Sequence, residues 1–162
     1  VYLTFISAWM VSQQLSALSI TSVWVILGLC ICVSPFFWKP IFARFDDGTP
    51  LSLILVTIAA GSSIPVLFPS FLGLIVSAVI FGLSVFMAPG AITNFTRKNL
   101  HENNWAYSIS VFTIIFALAQ TIGPFAAGVL GDWLENIGAS LLIASIVTMI
   151  GAFSAYSQKG IR

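Results

Sequence analysis

Apolar positions in this chain come in long unbroken runs separated by short polar punctuation. The first run covers residues 1–11 and ends at Gln13-Gln14; the others are 21–38, 51–68, 71–95, 105–130 and 139–156. Each full run is close to the ~20 residues a helix needs to cross a ~30 Å hydrocarbon layer. The runs are continuous rather than alternating, which excludes the apolar-out, polar-in period of barrel strands. Helices are therefore expected, because each one satisfies its own backbone amides where no water is present. The first run is short and reads as a partial span, cut inside a longer protein.

Turn chemistry falls between the runs. Phe45-Asp46-Asp47-Gly48-Thr49-Pro50 reads as a short turn, with Thr49-Pro50 suited to the entry of the next helix. Val66-Leu67-Phe68-Pro69-Ser70 is a tight turn that makes the flanking helices antiparallel neighbours. The stretch from Arg97 to Asn104 is the longest polar segment, and Gly131 to Gly138 closes the last hairpin. No linker divides the chain, so residues 1–162 are expected to form one bundle.

Charge adds orientation. Lys39 and Arg44 lie in the second connection, Arg97 and Lys98 in the fourth, and Lys159 and Arg162 in the tail. With the partial run counted as a span, these segments share one side and hold every Lys and Arg. The other side carries Asp132 and Glu135 but no basic residue. Cytoplasmic loops are enriched in Lys and Arg, so the basic side, with the C-terminus, is assigned to the cytoplasm. One span more or fewer would scatter the charges, so the pattern expects six spans.

Composition excludes the other classes. Of 162 residues, 59% are hydrophobic and only 7% charged, with a mean hydropathy of +1.06. Soluble domains carry about 25% charged residues, and disordered chains are poor in apolar ones. The implied partner is a lipid bilayer. A net charge of +1 gives no general attraction to nucleic acid. The chain opens on Val1 without Met or a basic segment, so no secretory signal is read there. A start at Val1 is the alternative to a cut.

Helices in lipid associate through close packing and polar contacts. Small residues recur at helical spacing as Ala78, Gly82 and Gly90, as Gly123, Ala127 and Gly131, and as Ala144, Thr148 and Ala152. These read as packing stripes, with Pro89-Gly90 expected to bend or loosen its helix.

Candidate chemistry is sparse. Cys30 and Cys32 point to different helix faces and read as small buried hydrophobes. His101 stands alone in a polar loop, so neither a metal site nor a cofactor is expected. No Asp, Glu, Lys, Arg or His lies in mid-span, and no catalytic cluster is present, so an enzyme is not expected. Gln120 is the conspicuous polar residue at depth, within Phe116-Ala117-Leu118-Ala119-Gln120-Thr121-Ile122-Gly123-Pro124. A buried amide must be hydrogen-bonded, so Gln120 faces another helix, a cavity or a ligand. Pro124 offers it a local partner through a freed carbonyl. Trp24, Phe86, Thr93 and Asn94 are weaker candidates; Asn94 also suits a helix-end hydrogen bonder.

The segment Trp38-Lys39-Pro40-Ile41-Phe42-Ala43-Arg44-Phe45-Asp46-Asp47-Gly48-Thr49-Pro50-Leu51 resembles a degraded Gly-x-x-x-Asp-Arg-x-Gly loop of the major facilitator superfamily. Arg44 matches the motif arginine; Lys39, Ala43 and Asp46 replace its Gly, Asp and Gly. Gln120-Thr121-Ile122-Gly123-Pro124 followed by Gly128-Val129-Leu130-Gly131-Asp132 resembles helix 11 of that superfamily. The likeness covers nearly all the chain, as helices 7 (partial) to 12, and is nearest a poorly characterised bacterial subgroup.

The resemblance implies a C-terminal six-helix half of a twelve-helix transporter with 3+3 inverted repeats, in the bacterial inner membrane. Its partners would be the missing N-terminal half and a small-molecule substrate, organic or amphipathic, moved by alternating access. Gln120, Asn94, Thr93, Trp24 and Phe86 become substrate-cavity candidates, and Arg44 a cytoplasmic gate residue. The loss of the acidic residue at Ala43 puts the gate's usual salt bridge in question. The competing reading is a non-transporting membrane subunit that assembles through its small-residue faces.

Overall fold

The computed structural model describes residues 1–160 as helices and short connections, with no strand among them. Seven α-helices follow in order: α1 Tyr2–Ser12, α2 Ala17–Arg44, α3 Thr49–Leu67, α4 Phe71–Gly82, α5 Ala88–Asn99, α6 Trp105–Trp133 and α7 Ile137–Tyr156. A single 3₁₀ turn, Glu102–Asn104, precedes α6. Four of them, α2, α3, α6 and α7 (α6 with its 3₁₀ lead-in), are long and apolar enough to cross a membrane. The expected all-helical membrane bundle is what the chain forms.

Local sequence explains most helix ends. Ser16, Ser70 and Asn136 cap α2, α4 and α7 by accepting a backbone N–H three residues on. Pro50 occupies the first turn of α3, where its missing N–H costs nothing. Gln14 and Glu135 take left-handed backbone (φ 57° and 50°) just past α1 and α6. There Leu15 N–H donates back to Met10 O and Asn136 N–H to Gly131 O, closing both helices in the usual αL manner.

The expected single span over 71–95 is instead two helices. α4 stops at Gly82 and α5 begins at Ala88. Pro89 lacks the N–H that would bond Val85 O, so a continuous helix loses a rung there. Between them Phe81 O accepts both Ser84 N and Val85 N, and Met87 N turns back to Ser84 O. The loosening expected at Pro89-Gly90 thus becomes a break on its N-terminal side, and α5 extends to Asn99 with the polar Arg97-Lys98 in its last turn. Broken backbone at membrane depth is tolerated only where protein or a cavity covers it. Trp38 of α2 does this for Leu83 O, donating its indole N–H at 2.7 Å. The ring is 1% exposed and packs with Ile54 of α3 and Ala88 and Ala91 of α5.

Packing centres on α3. α3 runs antiparallel to α7, joined by a Ser62–Ser145 hydroxyl contact of 2.7 Å. At one end of this pair Gly48 N–H donates to Gln158 O at 2.9 Å, and a Cβ on Gly48 would collide with Ala155 O. α3 also meets α4 closely, since a Cβ on Gly61 would lie 2.8 Å from Phe81 N. On the other face of α4, a Cβ on Gly82 would lie 2.8 Å from Leu27 O of α2. Ser77 Oγ donates to Gly61 O at 2.6 Å and pairs with Tyr2 Oη at 2.7 Å, tying α1, α3 and α4 together.

The small-residue stripes divide. Ala78 and Gly82 are buried, Gly90 stands beside Phe42 of α2, and Ala127 and Ala152 are buried. Gly123, Ala144 and Thr148 instead line an open apolar groove of about 630 Å³ between α6 and α7. Cys30 is half-buried near Gly82, whereas Cys32 is exposed on the outer face of α2, against the expectation that both are buried.

The ends of the helices sort by charge. The C-terminal ends of α2, α5 and α7 and the start of α3 meet, placing Lys39, Arg44, Arg97, Lys98 and Lys159 at one end of the bundle. Arg162 lies outside the described residues. Gly138, Val66 and Trp9 come together at the opposite end.

The break's dependence on Trp38 is testable. Trp38→Phe keeps most of the buried ring but removes the donor to Leu83 O, a loss of about 1–3 kcal/mol for a buried acceptor. The expected result is a clearly lowered unfolding midpoint in detergent, with the protein still inserted in the membrane.

Candidate functional site

The break in the fourth span forms one wall of a cavity of about 540 Å³. Phe81, Val85 and Phe86 reach it from the broken span, Tyr2 from α1, and Phe116, Gln120 and Pro124 from α6; Thr148 of α7 lies at its margin. Ser77 holds the Tyr2 hydroxyl, and the Tyr2 ring stacks on Phe81 with centroids 4.0 Å apart. Three phenylalanines and a tyrosine thus surround it, without a charged side chain in the lining.

Gln120 faces this space. Its side chain is exposed, and among the described residues no hydrogen bond is made to its amide. The local partner expected from Pro124 is not taken: the carbonyl that Pro124 strands is Gln120's own, four residues back, and the amide turns outward instead. Phe86 lines the same cavity and is 48% exposed. The structure therefore brings Gln120 and Phe86 together.

The other candidates stand elsewhere. Trp24 donates its indole N–H to Ser7 Oγ at 2.9 Å and packs against the core that joins α1, α2 and α4. Thr93 borders a separate cleft of about 260 Å³ between α5 and α6, with Pro89, Ile109 and Phe112. Asn94 donates to Phe42 O at 3.2 Å, binding α5 to α2 near the basic end.

At that end a cluster missed in the sequence holds the helices together. Lys98 Nζ donates to Phe42 O (2.8 Å), Phe45 O (3.1 Å) and Ala43 O (3.3 Å), and pairs with Asp46 at 2.7 Å. A cation at a helix C-terminus meets carbonyls that have no helical donor and the negative end of the dipole. Here the cation comes from α5 rather than from α2 itself, which is why local sequence did not expose it. Asn99 adds a hydrogen bond to Asp46 O at 2.7 Å. Arg44, the matched motif residue, is exposed and places its guanidinium 5.6 Å from the Phe45 ring.

Asp47 sits in the same turn. Hydrogen bonds from Thr49 hold its carboxyl below the usual carboxylate value. The start of α3 therefore keeps this charged acceptor at neutral pH and loses it as pH falls through the depressed value.

Two substitutions separate the lysine's roles. Lys98→Met leaves the end of α2 without its donor and is expected to cost about 1–3 kcal/mol. Asp46→Asn removes only an ion pair whose carboxylate is 72% exposed, and is expected to cost less than about 1 kcal/mol. Thermal unfolding of the two variants in detergent checks the order.

Comparison with curated proteins and with solved structures gives no match. A family described as "Uncharacterised MFS-type transporter YbfB" matches residues 1–155. That span runs from the first helix into the last and contains the broken fourth span, the cavity and the Lys98 cluster. The chain belongs to this family of major facilitator superfamily transporters.

Proposed function

We propose that the chain is the C-terminal half of a secondary transporter that moves a small organic or amphipathic solute by alternating access. The single observation that supports this most is the position of the broken span. Backbone irregularity lies at depth, beside a cavity lined by aromatic rings and an unpaired amide, which is where transporters of this kind bind their cargo. The solute sits between Phe86 and Gln120, and the second six-helix half covers the exposed faces of α2 and α6. Leu29, Val33 and Phe36 of α2 and Ile114, Leu118 and Ile122 of α6 are exposed, as a face awaiting lipid or protein requires.

The basic end is cytoplasmic in a bacterial inner membrane, by the distribution of Lys and Arg. The cluster around Lys98 and Arg44 then lies at the cytoplasmic mouth, where it ties α2 to α5 as the halves rock. Trp24 and Asn94 serve this reading through packing, since each is committed to a neighbouring helix. Thr93 lies on the approach between α5 and α6.

Gln120→Leu tests the site. Membrane insertion and the unfolding midpoint are expected to stay near those of the parent, because the amide holds nothing in the fold. Solute flux across proteoliposomes is expected to fall about tenfold or more, the loss of one hydrogen bond to a ligand. Unchanged flux would remove Gln120 from the site.

A further inference from the structure

Prolines inside the spans strand carbonyls, and the fate of each carbonyl differs. Pro35 removes the donor to Ile31 O, and Ser34 Oγ replaces it at 2.8 Å. Pro65 removes the donor to Gly61 O, and Ser77 Oγ replaces it at 2.6 Å. Pro40 frees Phe36 O near the basic end of α2, on a residue 80% exposed. Two carbonyls at depth differ from these: Pro124 frees Gln120 O inside α6, and Val85 O lies in the break, just ahead of Pro89 in the first turn of α5. No side chain among the described residues donates to either.

Val85 and Gln120 are both on the wall of the 540 Å³ cavity. Water satisfies these acceptors until a solute displaces it; a solute without donors then leaves them unpaired at a cost of several kcal/mol, to order of magnitude, so the site favours an occupant that brings donors. The side-chain amide of Gln120 adds an acceptor and a donor at the same wall. The surrounding Tyr2, Phe81, Phe86 and Phe116 offer ring faces, which hold apolar bodies and attract cations. Among the described residues no Lys, Arg or His lines the cavity to neutralise an anion.

We infer that the cavity selects neutral or singly cationic amphipathic solutes bearing N–H or O–H donors, which pair with the carbonyls of Val85 and Gln120, and rejects carboxylates and phosphates. This rests on the transporter reading above for its physiological meaning, but the selectivity of the cavity stands apart from flux.

The test is a matched series on one aromatic body: primary amine, trimethylammonium, alcohol, methyl ether and carboxylate. Equilibrium binding to the full-length protein in lipid nanodiscs is expected to favour the amine over the trimethylammonium and the alcohol over the ether, each by tenfold or more. The carboxylate is expected to bind weakest. Equal binding within either donor pair overturns the inference, as does tight carboxylate binding or no binding by any member. Pro124→Ala returns an N–H to the carbonyl of Gln120. It is expected to weaken the amine and alcohol severalfold and leave the trimethylammonium and ether unchanged. A kink that only shaped the cavity would move all five probes together, which also overturns the inference. Flux of the same series into proteoliposomes separates the two readings: donor-selective binding without flux sinks transport, and flux without donor preference sinks the site.

Discussion

A backbone carbonyl without a donor inside a membrane is the constraint around which this bundle is arranged. Water cannot serve it there, so protein or ligand must. The chain places prolines in four of its helices and answers two of the resulting vacancies with serine hydroxyls, while an indole serves the break. Ser34 serves Ile31, Ser77 serves Gly61, and Trp38 serves Leu83 at the break. Where those donors sit, helices are fixed in register: α2 to the broken span, and α4 to α3 and α1. At the basic end Lys98 does the same for the open carbonyls of α2.

These contacts divide the bundle into two regions of different character. The packed region is α2, α3, α4 and α7, where glycines bring backbones together and serines bridge them. α6 stands outside it, with Ala127 its only buried residue among those described. Ser140 Oγ reaches Ala127 O at 2.8 Å and anchors that end of α6 to α7, while its middle borders open space. The cavity lies on this boundary, between the packed helices and α6.

Much of the fold was legible in the sequence. Unbroken apolar runs and one-sided Lys and Arg gave the helices, their order and the two ends, since lipid imposes those rules on each segment separately. The break at residues 83–87 was only half legible: Pro89-Gly90 marked the place, but the pull of Trp38 on Leu83 O depends on a helix 45 positions away. The Lys98 cluster was hidden for the same reason, a cation on α5 serving carbonyls of α2. Of the candidate residues, Gln120 and Phe86 share the cavity. Trp24 and Asn94 find partners on neighbouring helices that polarity alone does not foretell. The stranded carbonyl of Gln120 was available as a signal all along, because Pro124, four residues downstream, names it.

The central claim is that the space between the broken span and α6 is a water-filled solute site rather than a seam facing lipid. Single cysteines at Phe86 and Gln120, in full-length protein with Cys30 and Cys32 replaced by serine, test it directly. The account predicts that a charged, membrane-impermeant thiol reagent modifies both, and that a transported solute slows the modification. Reaction confined to lipid-soluble reagents, with no protection by any transported solute, would contradict it.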